Sequence, residues 1–213
     1  ELTNQKNGNG RYLFAGNMDG TAPVNRSGGT FTYNGDQGQR MIQIGDSRQV
    51  ADSDPGSEIF FRIRDGNGAF SITPAAANTG AGVSGEGSVT DPTAYDMGQY
   101  TVRFIDPGNY EVLDSTAAVI ATGTFQPGET IAFRGIDFDI DGQPSAADEF
   151  LIDPSRFKDV FSMVAGLANA VALSANDDAS RAVIRNEINT GILDMDQAIG
   201  KLLDVRTQVG SRL

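Results

Sequence analysis

Residues 188–213 read INTGILDMDQAIGKLLDVRTQVGSRL, and the spacing of their large side chains sets how the rest of the chain is understood. Ile188, Ile192, Met195, Ile199, Leu202, Arg206, Val209 and Leu213 follow one another at intervals of four and three. A mean period of 3.5 residues puts them on one stripe of an α-helix and turns that stripe toward a partner helix along a left-handed supercoil. A long core helix within one domain shows the same spacing, so the period alone leaves both readings open. The stripe reaches Leu213, and the helix is expected to continue past it.

Upstream, Phe157, Val160, Phe161, Val164, Leu167, Ala168 and Val171 form a second apolar stripe. Asp153-Pro154-Ser155 supplies its start signal. The run Asn176-Asp177-Asp178 separates the two helices, because short polar side chains compete for backbone hydrogen bonds. Residues 1–7 are expected to be the last turns of a helix, stopped by Gly8-Asn9-Gly10. Short apolar runs at 11–15, 30–33, 41–44 and 59–63, separated by Asn-Gly, Gly-Gly and Asp-Pro-Gly, predict hairpins. Residues 65–98, rich in Gly, Ala, Ser and Thr, predict loops or a mobile edge. Strands return over 99–152, with turns at Asp106-Pro107-Gly108, Gln126-Pro127-Gly128 and Asp141-Gly142-Gln143-Pro144. The expected class is α+β: an elongated, coiled-coil-like helical rod with β-hairpins, formed by 1–64 and 153–213, and an all-β domain inserted at 65–152.

Charge divides the chain at the same places. The 213 residues carry a net charge of -12. Residues 85–153 hold 13 acids against Arg103 and Arg134, whereas 1–84 and 154–213 are within one charge of neutral. Neutral ends can pack against neighbours while an acidic middle stays hydrated. The acidic balance excludes nucleic acid, which needs a cationic surface. No apolar run approaches the roughly 18 residues a membrane helix needs. With no Cys and no His, zinc fingers, thiol nucleophiles and His-based triads are excluded, and no catalytic residue or cofactor is expected.

Four motifs invite chemical readings. Asp137, Asp139, Asp141 and Asp148 sit at positions 1, 3, 5 and 12 of a calcium-loop pattern, with Gly142 at position 6. Position 12 is Asp where Glu is usual, and the flanks Ile131, Phe133, Ile136, Phe138 and Ile140 alternate like strands. An acidic hairpin is therefore the expected arrangement, and no metal site is assigned. Residues 80–85 match GxGxxG but open no helix, so a loop is expected there. Asn25-Arg26-Ser27 fits a glycosylation acceptor and is read as turn chemistry. Asp148 and Glu149 are strand neighbours whose side chains point apart, which is wrong for a paired-carboxylate site.

Three passages resemble the hook-associated protein 3 family of the flagellin superfamily. Gly8-Asn9-Gly10-Arg11-Tyr12-Leu13-Phe14-Ala15-Gly16 is similar to the family's passage leaving an N-terminal helix. Tyr33-Asn34-Gly35-Asp36, with Gly38-Gln39-Arg40 and Ile42-Gln43-Ile44, is similar to its hairpin segment. Asp204-Val205-Arg206-Thr207-Gln208-Val209-Gly210-Ser211-Arg212-Leu213 resembles the end of its C-terminal helix. Residues 135–144 also resemble a β passage of hook-associated protein 1, departing from it at Ala147-Asp148-Glu149-Phe150. The resemblance implies a secreted, extracellular structural part of the bacterial flagellum that joins hook to filament. Its implied partners are hook-associated protein 1, flagellin and copies of itself. An export chaperone would bind terminal segments that this sequence is expected to lack. A flagellin subunit, or a secreted calcium- or glycan-binding module, are the alternatives. The seam Ile188, Ile192, Met195, Ile199, Leu202 and Val209 is expected to bury against the rod's own helices.

Overall fold

The computed structural model describes residues 2–51 and 53–212, so Glu1, Asp52 and Leu213 lie outside the described residues. In chain order the elements are β1 (Val24–Ser27), β2 (Thr30–Tyr33), β3 (Met41–Gln43), β4 (Gln49–Ala51), α1 (Gly56–Phe60), β5 (Ile63–Arg64), β6 (Phe70–Pro74), β7 (Val83–Ser84) and β8 (Ser88–Val89). There follow β9 (Tyr100–Asp106), β10 (Asn109–Asp114), β11 (Val119–Thr124), β12 (Thr130–Phe133), β13 (Ile136–Asp141), β14 (Glu149–Pro154), β15 (Phe157–Lys158), α2 (Val160–Ala172) and α3 (Asp178–Gly210). The fold is mixed, with antiparallel sheets and a long C-terminal helix.

The chain divides into two compact units. The hairpin unit takes Glu1–Ile63, Phe157–Met163 and Ala198–Leu213, and the sheet unit takes Arg64–Arg156 and Val164–Gln197. Residues 164–197, assigned above to the rod, thus cluster with the sheets.

In the sheet unit, five strands run in the order β11-β10-β9-β14-β6, and a smaller sheet runs β12-β13-β7 with β8 also on β13. Alternation explains the arrangement: Tyr100, Val102 and Phe104 of β9 point inward while Thr101, Arg103 and Ile105 point out. The inward faces of both sheets merge into one core around Phe70, Phe104, Phe138, Ile140 and Phe150. The β12–β13 connection is a two-residue turn in which Arg134 (φ 47) and Gly135 (φ 76) are both left-handed. A side chain at Gly135 would meet the Asp91 carbonyl, and that turn geometry matches the twist of a hairpin. Residues 65–98, expected as loops, carry β6, β7 and β8; the partners that make them strands, β14 and β13, lie far along the chain.

The hairpin unit holds two separate two-stranded ribbons, β1–β2 and β3–β4. Residues 2–4 form a single 3-10 turn, not the end of an α-helix. Two apolar runs expected as strands fold otherwise in part: of 59–63, Ile59 and Phe60 lie in α1 while Ile63 opens β5, and of 11–15, Tyr12 makes one isolated bridge to Lys6. Phe157 and Lys158 are strand, so the helix expected from Phe157 begins at Val160. Its cap is Asp159, whose carboxylate accepts the Ser162 N–H at 2.8 Å. Asp177 does the same for α3 through the Ser180 N–H, also at 2.8 Å.

Candidate assembly surfaces

The hairpin unit is held by aromatic rings, none of which is fully buried. Phe14 meets Phe60 edge-on at 5.2 Å, Phe31 stacks on Phe161 at 4.5 Å, and Tyr33 tilts against Phe61 at 5.8 Å. All six are half-buried. The Tyr33 hydroxyl lies 2.9 Å from the Phe14 carbonyl and 2.8 Å from that of Asp36, and burial pushes its pKa up. Asp36 in turn accepts the Asn17 and Gly38 N–H groups, at 2.7 and 2.9 Å, which fixes the entry to the β3–β4 ribbon.

That ribbon leaves Met41, Ile42 and Ile44 exposed. With Leu13, Phe14, Ile59, Val205 and Val209 it walls an apolar groove of about 410 Å³. At one end Arg212 bonds Asp54 through two contacts of 2.8 Å, a bidentate pair that raises the arginine pKa, chiefly by hydrogen bonding. A second groove, of about 530 Å³, is lined by Ile59, Phe60, Ile63, Val160, Phe161 and Leu202.

Helix α3 carries two unlike faces. The heptad seam is largely in solvent: Ile192 is 49% exposed, Ile199 55%, Leu202 44% and Val209 43%, while Ile188 and Met195 are half-buried. The Leu213 position of the seam lies outside the described residues. The buried face is made of small and polar residues: Ala182, Asn186, Gly191, Asp194 and Ala198.

Within the sheet unit this polar face grips β-strand backbone. The Asn186 amide oxygen accepts the Ser84 N–H at 2.9 Å, and its NH₂ reaches the Gly82 carbonyl at 3.0 Å. Asn189 donates to the Ser84 carbonyl at 3.3 Å, and Asp194 accepts the Gly66 N–H at 3.1 Å. Each satisfies a backbone group that would otherwise be stranded. Gly191 lets α2 come close, since a Cβ there would lie 2.7 Å from Leu167 Cδ1. Polar recurrence at Asn186, Asn189, Asp194 and Gln197 was the available sequence signal, overshadowed by the stronger apolar period.

The chemical motifs resolve into structure. Asp137, Asp139 and Asp141 alternate along β13 with Ile136, Phe138 and Ile140, and Asp137 accepts a bond from the Ser88 hydroxyl at 2.7 Å. Asp148 is buried elsewhere, its carboxylate accepting N–H groups from Thr79, Gly80 and Ser145 at 2.8, 3.0 and 2.8 Å. The four are not brought together, and among the described residues no group of three or more acids could hold a metal ion. The GxGxxG stretch, expected as a loop, contains the two-residue strand β7, and its Ser84 N–H is bound by Asn186. Asn25 lies in β1 opposite Thr32, not in a turn. No helix is long and apolar enough to cross a membrane, among the described residues.

No protein-family model and no curated protein matches the chain. Solved structures do. FlgL from Xanthomonas campestris is 38% identical, with a TM-score of 0.94 over 99% of this chain and 70% of that one. Flagellar hook associated protein-3 from Legionella pneumophila is 31% identical, with a TM-score of 0.92 over 99% and 68%. The flagellar junction protein FlgL from the same organism gives 30%, 0.89, 99% and 72%. Identity at this level over nearly the whole chain shows that the protein belongs to the FlgL, or hook-associated protein 3, family of flagellar junction proteins.

Proposed function

We propose that the chain works as a mechanical adaptor between hook and filament, meeting hook-associated protein 1 on one side, flagellin on the other and copies of itself around the junction. The observation that carries this, beside family membership, is uncovered apolar surface: in the hairpin unit the β3–β4 ribbon, the two grooves and Ile199, Leu202 and Val209 of the seam, and in the sheet unit Ile192. Large apolar area left in water marks a surface that awaits a partner. Ile188, Ile192, Met195, Ile199, Leu202 and Val209 form the seam along which a second helix pairs, extending a rod made of 1–64 and 153–213. The acidic residues of 65–152 keep that insert hydrated and facing solvent. The work is extracellular and needs no catalytic group.

Binding to isolated hooks tests this. The chain, carrying the terminal segments of a full-length relative, is expected to sediment with hooks carrying hook-associated protein 1 and to accept flagellin afterwards. Failure to co-sediment with such hooks overturns the assignment.

A further inference from the structure

Asparagine followed by glycine is the pair in which a side-chain amide is most open to attack by its own backbone. The chain holds four: Asn7-Gly8, Asn9-Gly10, Asn34-Gly35 and Asn67-Gly68. Glycine matters because, with no Cβ, its nitrogen can approach the amide carbon unhindered. The junction role uses none of these pairs, and the fold treats each differently.

Two pairs are closed by hydrogen bonds. Asn67 Oδ1 accepts the Ala69 and Phe70 N–H groups at 3.0 and 2.9 Å, and its NH₂ donates to the Gly87 carbonyl at 3.1 Å. The nitrogen that would attack it, Gly68 N–H, donates to the Asp65 carbonyl at 3.1 Å. At Asn9 the attacking group is held too, since Gly10 N–H donates to the Asn7 carbonyl at 2.9 Å. Asn34 is exposed but hemmed in: a Cβ at Gly35 would lie 2.5 Å from the Tyr33 hydroxyl oxygen and 2.7 Å from the Ala15 carbonyl oxygen. The N–H groups on either side of Gly35, those of Asn34 and Asp36, donate to Pro23 and Ala15.

Asn7 is arranged for the reaction. Its Oδ1 accepts the Asn9 N–H at 3.0 Å and the Arg11 N–H at 3.1 Å. These two backbone donors sit on the oxygen that turns negative when a nucleophile adds to the amide carbon. The Gly8 N–H and the Asn7 NH₂ have no partner among the described residues. Gly8 is exposed and a Cβ there would meet nothing within 4 Å, so its peptide has room to turn toward the side chain.

We propose that Asn7 is a self-modifying site that deamidates first in the folded protein. The Gly8 backbone nitrogen gives its proton to hydroxide and bonds to the Asn7 amide carbon. The oxyanion collapses, the bond to the NH₂ group breaks, and that nitrogen leaves as ammonia with a proton from water. Water then opens the five-membered imide. Opening at the side-chain carbonyl gives aspartate, and opening at the main-chain carbonyl gives isoaspartate; nothing is oxidised or reduced. Either product adds one negative charge to the hairpin unit. Aspartate keeps the two N–H bonds and strengthens them. Isoaspartate lengthens the main chain by a methylene and breaks the loop that Asn7 closes by donating its N–H to the Arg11 carbonyl at 2.8 Å.

Exposure alone would select Asn9 or Asn34, because Asn7 is half-buried, so the order of reaction is the test. The unaltered protein, kept folded in mildly alkaline buffer, is expected to convert Asn7 several-fold faster than Asn9, Asn34 or Asn67. Fragmentation mass spectrometry reads this, separating Asn7 from Asn9 within the tryptic peptide 7–11. In the urea-unfolded chain the four rates should draw together. Gly8→Ala places a methyl group in open space at a backbone angle that any residue adopts. Its melting temperature is expected to hold while conversion at Asn7 falls several-fold and the other three sites keep their rates. Asn9, Asn34 or Asn67 reacting first in the folded protein, a lead for Asn7 that persists in urea, or a Gly8→Ala chain with Asn7 converting as before overturns the proposal.

Discussion

The two-sheet core and the hairpin unit bury apolar surface to different depths. In the sheet unit Phe70, Phe104, Phe138 and Phe150 are essentially sealed, and two sheets share a single core. In the hairpin unit every phenylalanine is half-buried or exposed, and Met41, Ile42, Ile44, Ile199, Leu202, Leu203 and Val209 stand in water. The two-sheet core has the burial of a domain that completes itself, whereas the hairpin unit, like the sheet unit's own helical residues Val164, Val171, Val183 and Ile192, keeps large apolar side chains in water. A sealed core should respond to truncation, an open surface to its partner.

The largest effect is expected in the sealed core. Phe104 is fully buried and touches Phe125 at 4.9 Å and Phe150 at 6.1 Å, edge to face. Phe104→Ala should cost about 3–5 kcal/mol of sheet-unit stability, read by denaturant titration. A loss below about 1 kcal/mol would mean the unit is looser than its packing shows, and the contrast between units would collapse.

Next comes the polar grip of α3. Asn186→Ala leaves the buried Ser84 N–H and Gly82 carbonyl without their partner, which should cost about 1–3 kcal/mol in the same assay. Asn189 is exposed and makes one longer bond, so Asn189→Ala should cost less. Equal effects would show that the helix is held by its apolar contacts and not by these amides.

Acid should separate the units without any mutation. Asp91, Asp96, Asp106, Asp114 and Asp177 all belong to the sheet unit, and all are held below the ordinary 3.8. The leading causes are hydrogen bonds from Thr93, Tyr100, Asn109, Thr116 and Ser180 respectively. A folded pKa below the unfolded one contributes stability that is present above 3.8 and is lost as pH falls through the folded values. Sheet-unit melting is therefore expected to decline below about pH 4, with Asp96→Asn flattening part of the slope. Tyr100 gives an alkaline counterpart: burial, then the Asp96 hydrogen bond, pushes it to about 12, so its contribution fades between 10 and 12. A melting profile flat down to pH 2 would remove these bonds from the account.

These contrasts were legible in the sequence to different depths. Alternation of Ile and Phe with Asp over 136–141 announced β13, because a strand writes its two faces locally. Strands β7 and β8, two residues each beside glycines, become strand only through β13, while β6, whose Phe70 and Ile72 alternate with Ser71 and Thr73 and whose Phe70 lies opposite Pro154 of β14, was hidden by its Gly-rich flanks. For α3, the period located the helix but could not say which stripe would be covered. Its buried side is Asn186, Asp194 and alanines, a pattern that hydrophobic periodicity does not detect. Phe157 failed for a related reason: its 3-and-4 spacing to Val160 and Phe161 is helical, yet the residue sits in β15.

The smallest effect on stability is expected at the exposed seam, and it is the sharpest test of the comparison. Ile199→Gln and Leu202→Gln exchange apolar side chains already in solvent for residues of similar helix propensity, so each should change stability by no more than about 0.5 kcal/mol. The same pair of changes should abolish capture by hooks, because a polar residue at a seam position leaves its amide buried without a partner once a second helix closes over it. Calorimetry on the isolated chain and co-sedimentation with hooks measure the two sides. If both substitutions lower the melting temperature by several degrees, the seam belongs to the unit's own core. If they leave hook capture intact, the exposed stripe is not the surface on which assembly depends.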